Sequence, residues 1–359
     1  MYQCFRPGKA WYDTNGKKIQ AHGGSVLYAE NTFFWYGENK EGITGTATGE
    51  KCPYWHHGVR LYSSSDLYNW KDEGIIMHEQ AEPDHPFYPQ NIMDRPHIIF
   101  HPKNKEYILW AKCSRGKHFE NSFFAVCSAK NIRGPFRFCA EISCEPYHAG
   151  DFDLIVENDT AYIIYENPHT SLICQTLTDD FKGLSNESSE HIPMPFPPYV
   201  REAPAFFTHN GRKFILTSGT TGYFPNASRV DEISAFHGQW EQLPAPCLHD
   251  DQNNSFHAQF SSVFQHPHIS DLYIALGDRW LTDIPCHCPD MNMVFQRLFD
   301  KESKPLPDHF DFSVYSDSNT SDATYVWLPI RFDKQGNPTI EWRSTWTVEN
   351  FKDSEPKNF

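Results

Sequence analysis

Basic charge is scarce in this sequence. Its 359 residues carry 31 Lys and Arg against 46 Asp and Glu, a formal net charge of −15 at pH 7, and no basic cluster interrupts that balance. Charge of this sign repels the phosphates of nucleic acid and anionic lipid, so neither is expected as a partner. Long apolar runs are missing too. None approaches the roughly 18 residues needed to cross a bilayer, and Met1 to Arg6 lacks the apolar stretch of a secretory leader. The chain is therefore expected to be soluble and cytoplasmic, or secreted if a leader has been removed. Ten cysteines are scattered with no CxxC pair, several of them inside apolar strand-like runs, which reads as reduced thiols. Cys286-His287-Cys288 lacks a second ligand pair, so it is read as a loop turn and no metal site is expected. HExxH and GxSxG are absent, and Thr217 to Gly222 follows a strand without opening a helix. Zinc protease, serine hydrolase and phosphate-loop chemistry are thereby set aside.

Helical periodicity is also lacking: no 12-residue stretch holds a clean 3.6 period. What is present is aromatic and β-branched. Aromatics make up 15% of the chain, and short runs of Val, Ile, Phe, Tyr and Trp recur from end to end between polar turns. This reads as all-β. Ser25–Leu27 with Thr32–Tyr36, His97–Phe100 with Tyr107–Ala111, Leu154–Glu157 with Ala161–Tyr165, Ala205–Thr208 with Lys213–Thr217, and Ser261–Gln265 with Leu272–Leu276 form five hairpins on one plan. Polar residues head them at Gln20, Asp94, Asp151, Glu202 and Gln259, and the last four are 51 to 57 residues apart. The first interval is longer because a Gly/Thr-rich insertion (Gly42 to Gly49) and a Pro-rich stretch (Glu82 to Pro89) lie within it. A four-stranded unit repeated at this spacing predicts a five-bladed β-propeller, with antiparallel blades around a central channel. Val59–Ser63, Phe123–Ser128 and Leu172–Thr176 supply further strands, followed by the inter-blade aromatics Trp70, Phe136 and Phe181. Residues 1–359 are read as a single catalytic domain. Residues 1–17 are an extension that packs outside or helps close the ring. Residues 282–323 are a long excursion in the last blade, a wall or lid, before strands at Tyr325–Phe332 and Thr339–Trp346.

In a propeller the heads of the innermost strands gather at one mouth of the channel, so Asp94, Asp151, Glu202 and Gln259 should converge there, with Glu38 arriving from the end of a second strand. Two carboxyl groups held several ångströms apart are what a glycosidase needs, one protonated to serve the leaving oxygen and one to activate water. Glu202 in Arg201-Glu202-Ala203-Pro204 stands just before a buried strand, as a catalytic group or a salt-bridged blade end. In Gly150-Asp151-Phe152-Asp153-Leu154 alternation puts both acids on one face, Asp151 at the mouth and Asp153 deeper. Asp94-Arg95 reads as an ion pair or a sugar clamp, and Trp35-Tyr36-Gly37-Glu38 as strand core or as rings and a carboxylate for a pyranose. His56-His57 and His266-Pro267-His268 read as surface or turn histidines. His22 and His257 sit beside strand heads, as core or channel residues, where a water or a calcium ion is conceivable.

These motifs, together with Gln20-Ala21-His22-Gly23-Gly24, Thr217-Ser218-Gly219, Thr221-Gly222 and Gly277-Asp278-Arg279-Trp280, resemble glycoside hydrolase family 43, most of all its exo-β-1,3-galactanase branch, over nearly the whole chain. The resemblance implies inverting, metal-independent hydrolysis, with Glu202 as general acid and Asp151 tuning its pKa and orienting it. Most of the family has a general-base Asp where this chain has Gln20 to Gly24. The galactanase branch shares its absence, and there a glutamine matching Gln259 is proposed to position the attacking water. Glu38, Asp94, Arg95 and Tyr36 would hold the terminal galactose, with Thr220, Gly222 and Arg279 nearby. Asp94 departs from the branch, which usually has Glu, and no carbohydrate-binding module follows. The expected activity is exo release of terminal galactose from β-1,3-linked galactans or galacto-oligosaccharides, without a cofactor. The alternatives are α-L-arabinofuranosidase, β-xylosidase or β-galactofuranosidase activity on the same fold, or a non-catalytic sugar-binding propeller.

Overall fold

The computed structural model describes residues 1–42, 54–116, 121–282, 288–300, 302 and 319–352. Each predicted hairpin becomes the inner half of one blade. The first blade is β1 (His22–Ala29), β2 (Thr32–Glu38), β3 (Val59–Ser64) and β4 (Lys71–Met77). The second is β5 (Ile92–His101), β6 (Glu106–Ser114), β7 (Ser122–Ala129) and β8 (Arg137–Ile142). The third is β9 (Phe152–Glu157), β10 (Thr160–Asn167), β11 (Ser171–Leu177) and β12 (Leu184–His191). The fourth is β13 (Arg201–His209), β14 (Arg212–Gly219), β15 (Arg229–Ile233) and β16 (Trp240–Gln242). The fifth holds β17 (Cys247–Leu248), β18 (Gln259–Gln265), β19 (Tyr273–Arg279), β20 (Thr324–Phe332) and β21 (Pro338–Glu341). The inner strands β1, β5, β9, β13 and β18 follow one another around the channel, and β18 returns against β1. The fold is a five-bladed β-propeller.

Local chemistry explains the hairpins. Glu30-Asn31, Asn158-Asp159 and Asn210-Gly211 have positive φ at both residues, the two-residue turn whose twist suits a hairpin. Second strands such as β6 are buried on both faces, because each blade is sandwiched between two others, and so they read as continuous apolar runs. Trp70, Phe136 and Phe181 are buried in the seams between blades.

Three expectations need correction. The fifth blade is not purely antiparallel, since the two-residue strand β17 pairs in parallel with β21. The last strand stops at Glu341; Trp346 instead forms an isolated bridge with Phe5, which ties the N-terminal segment to the ring closure. The excursion contains a helix, α1 (Cys288–Phe299), where little periodicity was expected. Its apolar residues Met291, Val294, Phe295, Leu298 and Phe299 follow an i, i+3, i+4, i+7, i+8 spacing, a helical pattern that spans little more than two turns inside a polar segment. Most of the Gly42–Gly49 insertion, the Cys286-His287 pair and residues 303–318 lie outside the described residues. Seven cysteines among the described residues are free thiols, those at 113, 127, 144 and 174 buried. His56 and His266 are buried, not surface groups, and each accepts a backbone N–H, from Gly58 and His268 respectively.

Candidate active site

The site is built by a repeated irregularity. Four inner strands change register within three residues of their heads, at His22/Ser25, Asp94/His97, Glu202/Ala205 and Phe260/Ser262; the first strand begins at His22, so His22 and not Gln20 is its head. A bulge of this kind bends the strand and re-aims the side chain before it. The residue after the head is left-handed in three of them: Gly23 (φ 60°), Arg95 (φ 52°) and Ala203 (φ 48°). For Arg95 and Ala203 that backbone costs about 1–2 kcal/mol each. Gly23 avoids a second problem, since a Cβ there would lie 2.6 Å from Glu38 Oε1.

The residues turned inward form one connected network around Arg95. Its backbone N–H donates to Glu38 Oε1 at 3.0 Å, Nε donates to Asp151 Oδ2 at 2.9 Å, and Nη2 donates to Gln259 Oε1. Nη1 is buried without a hydrogen-bond partner among the described residues. Gln259 then donates through Nε2 to Glu202 Oε1 and to Ser218 Oγ, both at 2.9 Å, while its Oε1 also accepts from Trp280 Nε1 at 3.4 Å. The amide orientation is thereby fixed: oxygen toward the guanidinium, nitrogen toward the carboxyl. Lys112 Nζ stands 3.2 Å from Asp151 Oδ1 and 3.5 Å from Asp94 Oδ2. Trp55 Nε1 donates to Asp94 Oδ1 at 2.6 Å. Lys40 Nζ lies 3.0 Å from Glu38 Oε2 and donates to the Trp55 carbonyl at 2.9 Å.

Charge sorts the carboxyls into two kinds. Burial alone would raise Asp151, but Arg95 and Lys112 outweigh it and bring its pKa down to about 2. Glu202 is pushed well above the carboxylate range, first by burial and then by the charges of Asp151 and Glu166. Burial raises Glu38 to about 7 against the pull of Lys40, and burial together with Asp151 raises Glu166 to about 7. One carboxylate held ionised beside one held protonated is the division of labour that acid catalysis requires.

Of the predicted residues the structure brings together Glu38, Asp94, Arg95, Asp151, Glu202 and Gln259. Four others lie elsewhere. Tyr36 sits a layer deeper, where its hydroxyl accepts the Ile98 N–H at 3.0 Å and lines a channel cavity of about 420 Å³ with His97 and Asp153. Alternation explains this, since Tyr36 and Glu38 share a face two residues apart. Thr220 donates to the Val200 carbonyl at 3.1 Å. Gly222 is exposed and lies beneath helix α1, where a Cβ would meet Phe295 at 3.7 Å. Arg279 donates to the carbonyls of His257 and Phe256, and its guanidinium abuts Gly8. His22 is buried between Gln20 Oε1 (3.1 Å) and Asp278 Oδ1 (3.0 Å).

Several groups escaped the sequence reading. Each head residue faces a partner at the end of the second strand: His22 with Glu38, Asp94 with Lys112, Asp151 with Glu166, Glu202 with Ser218, and Gln259 with Asp278. The signal was available. A Lys inside the buried run Tyr107 to Cys113, or a Glu closing Tyr162 to Tyr165, has no packing rationale, and hairpin register places each beside its head residue. Trp55 and Tyr223 had no such signal, because loops carry them to the mouth; Trp280, directly after β19, was part of a quoted motif but was given no role. Tyr223 packs on Trp280 with ring centroids 5.1 Å apart, and its phenol is raised by burial and by the charges of Asp94 and Glu38. Among the described residues no three His, Cys, Asp or Glu side chains are grouped so as to hold a metal ion.

Solved structures with this architecture include a family 43 β-1,3-galactosidase, 24% identical with a TM-score of 0.78 over 98% of this chain and 65% of the other. This chain thus spans less than two thirds of that protein. A second family 43 β-1,3-galactosidase, with galactodeoxynojirimycin, is 25% identical with a TM-score of 0.76 over 96% of this chain and 100% of the other. An exo-β-1,3-galactanase from Phanerochaete chrysosporium, with galactose, is 23% identical with a TM-score of 0.74 over 96% of this chain and 68% of the other. No curated protein matches the sequence significantly. The model of the glycosyl hydrolases family 43 matches residues 19–279, which hold every residue of the network except Trp280. The chain belongs to family 43 of the glycosyl hydrolases.

Proposed function

We propose that this glycoside hydrolase removes terminal galactose from the ends of β-1,3-linked galactans or galacto-oligosaccharides, with inversion at the anomeric carbon. The sugar and linkage follow the names of the similar structures, two β-1,3-galactosidases and an exo-β-1,3-galactanase. The single observation that carries the chemistry is the hydrogen bond from Gln259 Nε2 to Glu202 Oε1. It occupies one oxygen of a carboxyl that burial and neighbouring charge keep protonated, and leaves Oε2 to carry the proton toward the glycosidic oxygen. Asp151 stays ionised against Arg95 and Lys112 and holds the Glu202 proton in place through its negative charge. Glu38, Asp94 and Arg95 take hydroxyls of the terminal sugar, beside the packed rings of Trp55, Tyr223 and Trp280.

Gln259 stands where the attacking water is to be held. Both lone pairs of its carbonyl oxygen are already engaged, by Arg95 and by the longer bond from Trp280. A water therefore enters by displacing the Trp280 contact, while Arg95 keeps the amide oriented. As a neutral amide, Gln259 positions this water and is a poor proton acceptor, so the proton that the water loses on bonding to the anomeric carbon passes to solvent, and Glu202, having protonated the leaving oxygen, is reprotonated from solvent.

The test is a substrate panel: β-1,3-galactobiose and the nitrophenyl β-galactoside, α-L-arabinofuranoside, β-xyloside and β-galactofuranoside. Galactose is expected, and proton NMR of the first product is expected to show the α anomer. Arabinose or xylose without galactose rejects the sugar assignment, and a first-formed β anomer rejects inversion. Glu202→Gln should lower kcat on galactobiose by about 10²–10⁴-fold while sugar binding persists.

A further inference from the structure

Helix α1 crosses the mouth on one side only. It springs from the connection between β19 and β20 in the fifth blade, passes over the fourth and reaches the third. Over the fourth blade, Phe295 lies against Gly222, and Gln296 Oε1 accepts the Tyr199 hydroxyl at 3.0 Å. Over the third blade, the Phe299 ring meets the His169 ring edge to face at 4.7 Å. These contact points lead directly to catalytic groups. Tyr199 runs three residues ahead of Glu202. The backbone N–H of His169 donates to Glu166 Oε1, on the residue paired with Asp151. Yet the rings are not buried: Tyr199 is 46% exposed and Phe299 38% exposed.

We propose that Tyr199 and Phe299 form a leaving-group subsite, a ledge that takes the second and third sugar units of the substrate. This rests on Glu202 being the general acid. In inversion the acid lies on the leaving-group side and water comes from the opposite face. The groups assigned to the terminal sugar, Glu38, Asp94 and Arg95, belong to the first and second blades. The chain beyond the cleaved bond must then leave past Glu202, over the fourth and third blades, which is where helix α1 stations its rings. Flat aromatic faces suit pyranose units there, since they bury the apolar C–H face of a ring while its hydroxyls stay in water. The Tyr199–Gln296 bond holds the two halves of the ledge at a fixed spacing, and residues 295 and 299, one helical turn apart, share a face.

The decisive measurement is the ratio of kcat/KM for β-1,3-galactotriose to that for galactobiose, in the wild type and in Tyr199→Ala and Phe299→Ala. The wild-type ratio is expected to exceed one; losing the ring under the third unit should lower it about fivefold, and losing the ring under the second should lower kcat/KM for both substrates about fivefold. Phe299→Tyr, which keeps the ring, should preserve the ratio, separating the ledge from any general damage to the helix. Calorimetric titration of Glu202→Gln with the triose and with galactose gives the same comparison without turnover. A wild-type ratio of one, or a ratio unchanged in both alanine variants, overturns the ledge. Release of a sugar other than galactose overturns the galactose assignment instead, and the ratio for di- and trisaccharides of that sugar then decides on the ledge.

Discussion

Glu202 serves chemistry at the expense of the fold. Its folded pKa lies above the ordinary glutamate value of about 4.3, so the two states bind protons equally only below that value. As pH rises from there toward the raised pKa, the unfolded chain releases its proton first, and stability is lost. Glu202→Gln removes this penalty. It should melt higher than the wild type at pH 7, with the difference closing toward pH 4, in thermal unfolding followed across that range. Asp151 has the opposite sign. Its depressed pKa of about 2 contributes stability above the unfolded value of about 3.9, and this is lost as pH falls through the folded value. Asp151→Asn deletes a negative charge that raises Glu202 and frees Arg95 and Lys112 to act on it. The basic limb of kcat/KM against pH should therefore move to lower pH, and a limb that stays in place would contradict the assigned coupling. Lys112→Met leaves Asp94 without its cation and Asp151 with only Arg95. Breaking buried pairs of this kind costs about 3–5 kcal/mol, measurable by denaturant titration.

The bulges at the strand heads are the elements that convert a repeat into a site. Ala203, fully buried at φ 48°, shows how tightly they constrain the chain. Glycine there relieves about 1–2 kcal/mol of left-handed strain and forfeits roughly 0.8 kcal/mol of methyl burial, so Ala203→Gly should leave stability within about 1 kcal/mol. Ala203→Val sets a branched Cβ against a backbone it avoids, and should lose more than about 2 kcal/mol along with the register of Glu202. The five hairpins were legible because two-residue polar turns and alternating strands are local signals. Asp94, Asp151, Glu202 and Gln259 were legible because spacing alone stations them at one mouth. Arg279 and Thr220, which only the family resemblance implied, show where such a carry-over stops: a matching motif position does not fix the rotamer, and here each side chain turns to a carbonyl. Helix α1 was missed for a different reason, since its apolar positions cover only two turns. Trp55 reaches Asp94 through a loop whose path no pattern records.

The ring closes without a shared strand. The first blade is made wholly of β1 to β4, so its seam with the fifth is held by side chains: Phe5, Trp35, Trp70, Trp327 and Trp346. Phe5 and Trp346 stack with centroids 4.0 Å apart. Trp327, 2% exposed, meets Trp35 at 4.5 Å and Trp11 at 5.1 Å. Trp327→Ala should cost about 3–5 kcal/mol in equilibrium unfolding, with activity falling only as the ring opens. That coupling has a consequence for biosynthesis. Arg95 joins groups donated by all but the fourth blade, and among the described residues Glu202 is hydrogen-bonded to them only through Gln259, which the ribosome adds after all of them. A growing chain can display its acid, its ionised partner and its sugar clamps and still have no bridge between them. Hydrolytic competence should then arrive abruptly, when the circle shuts, and never in proportion to the number of blades made.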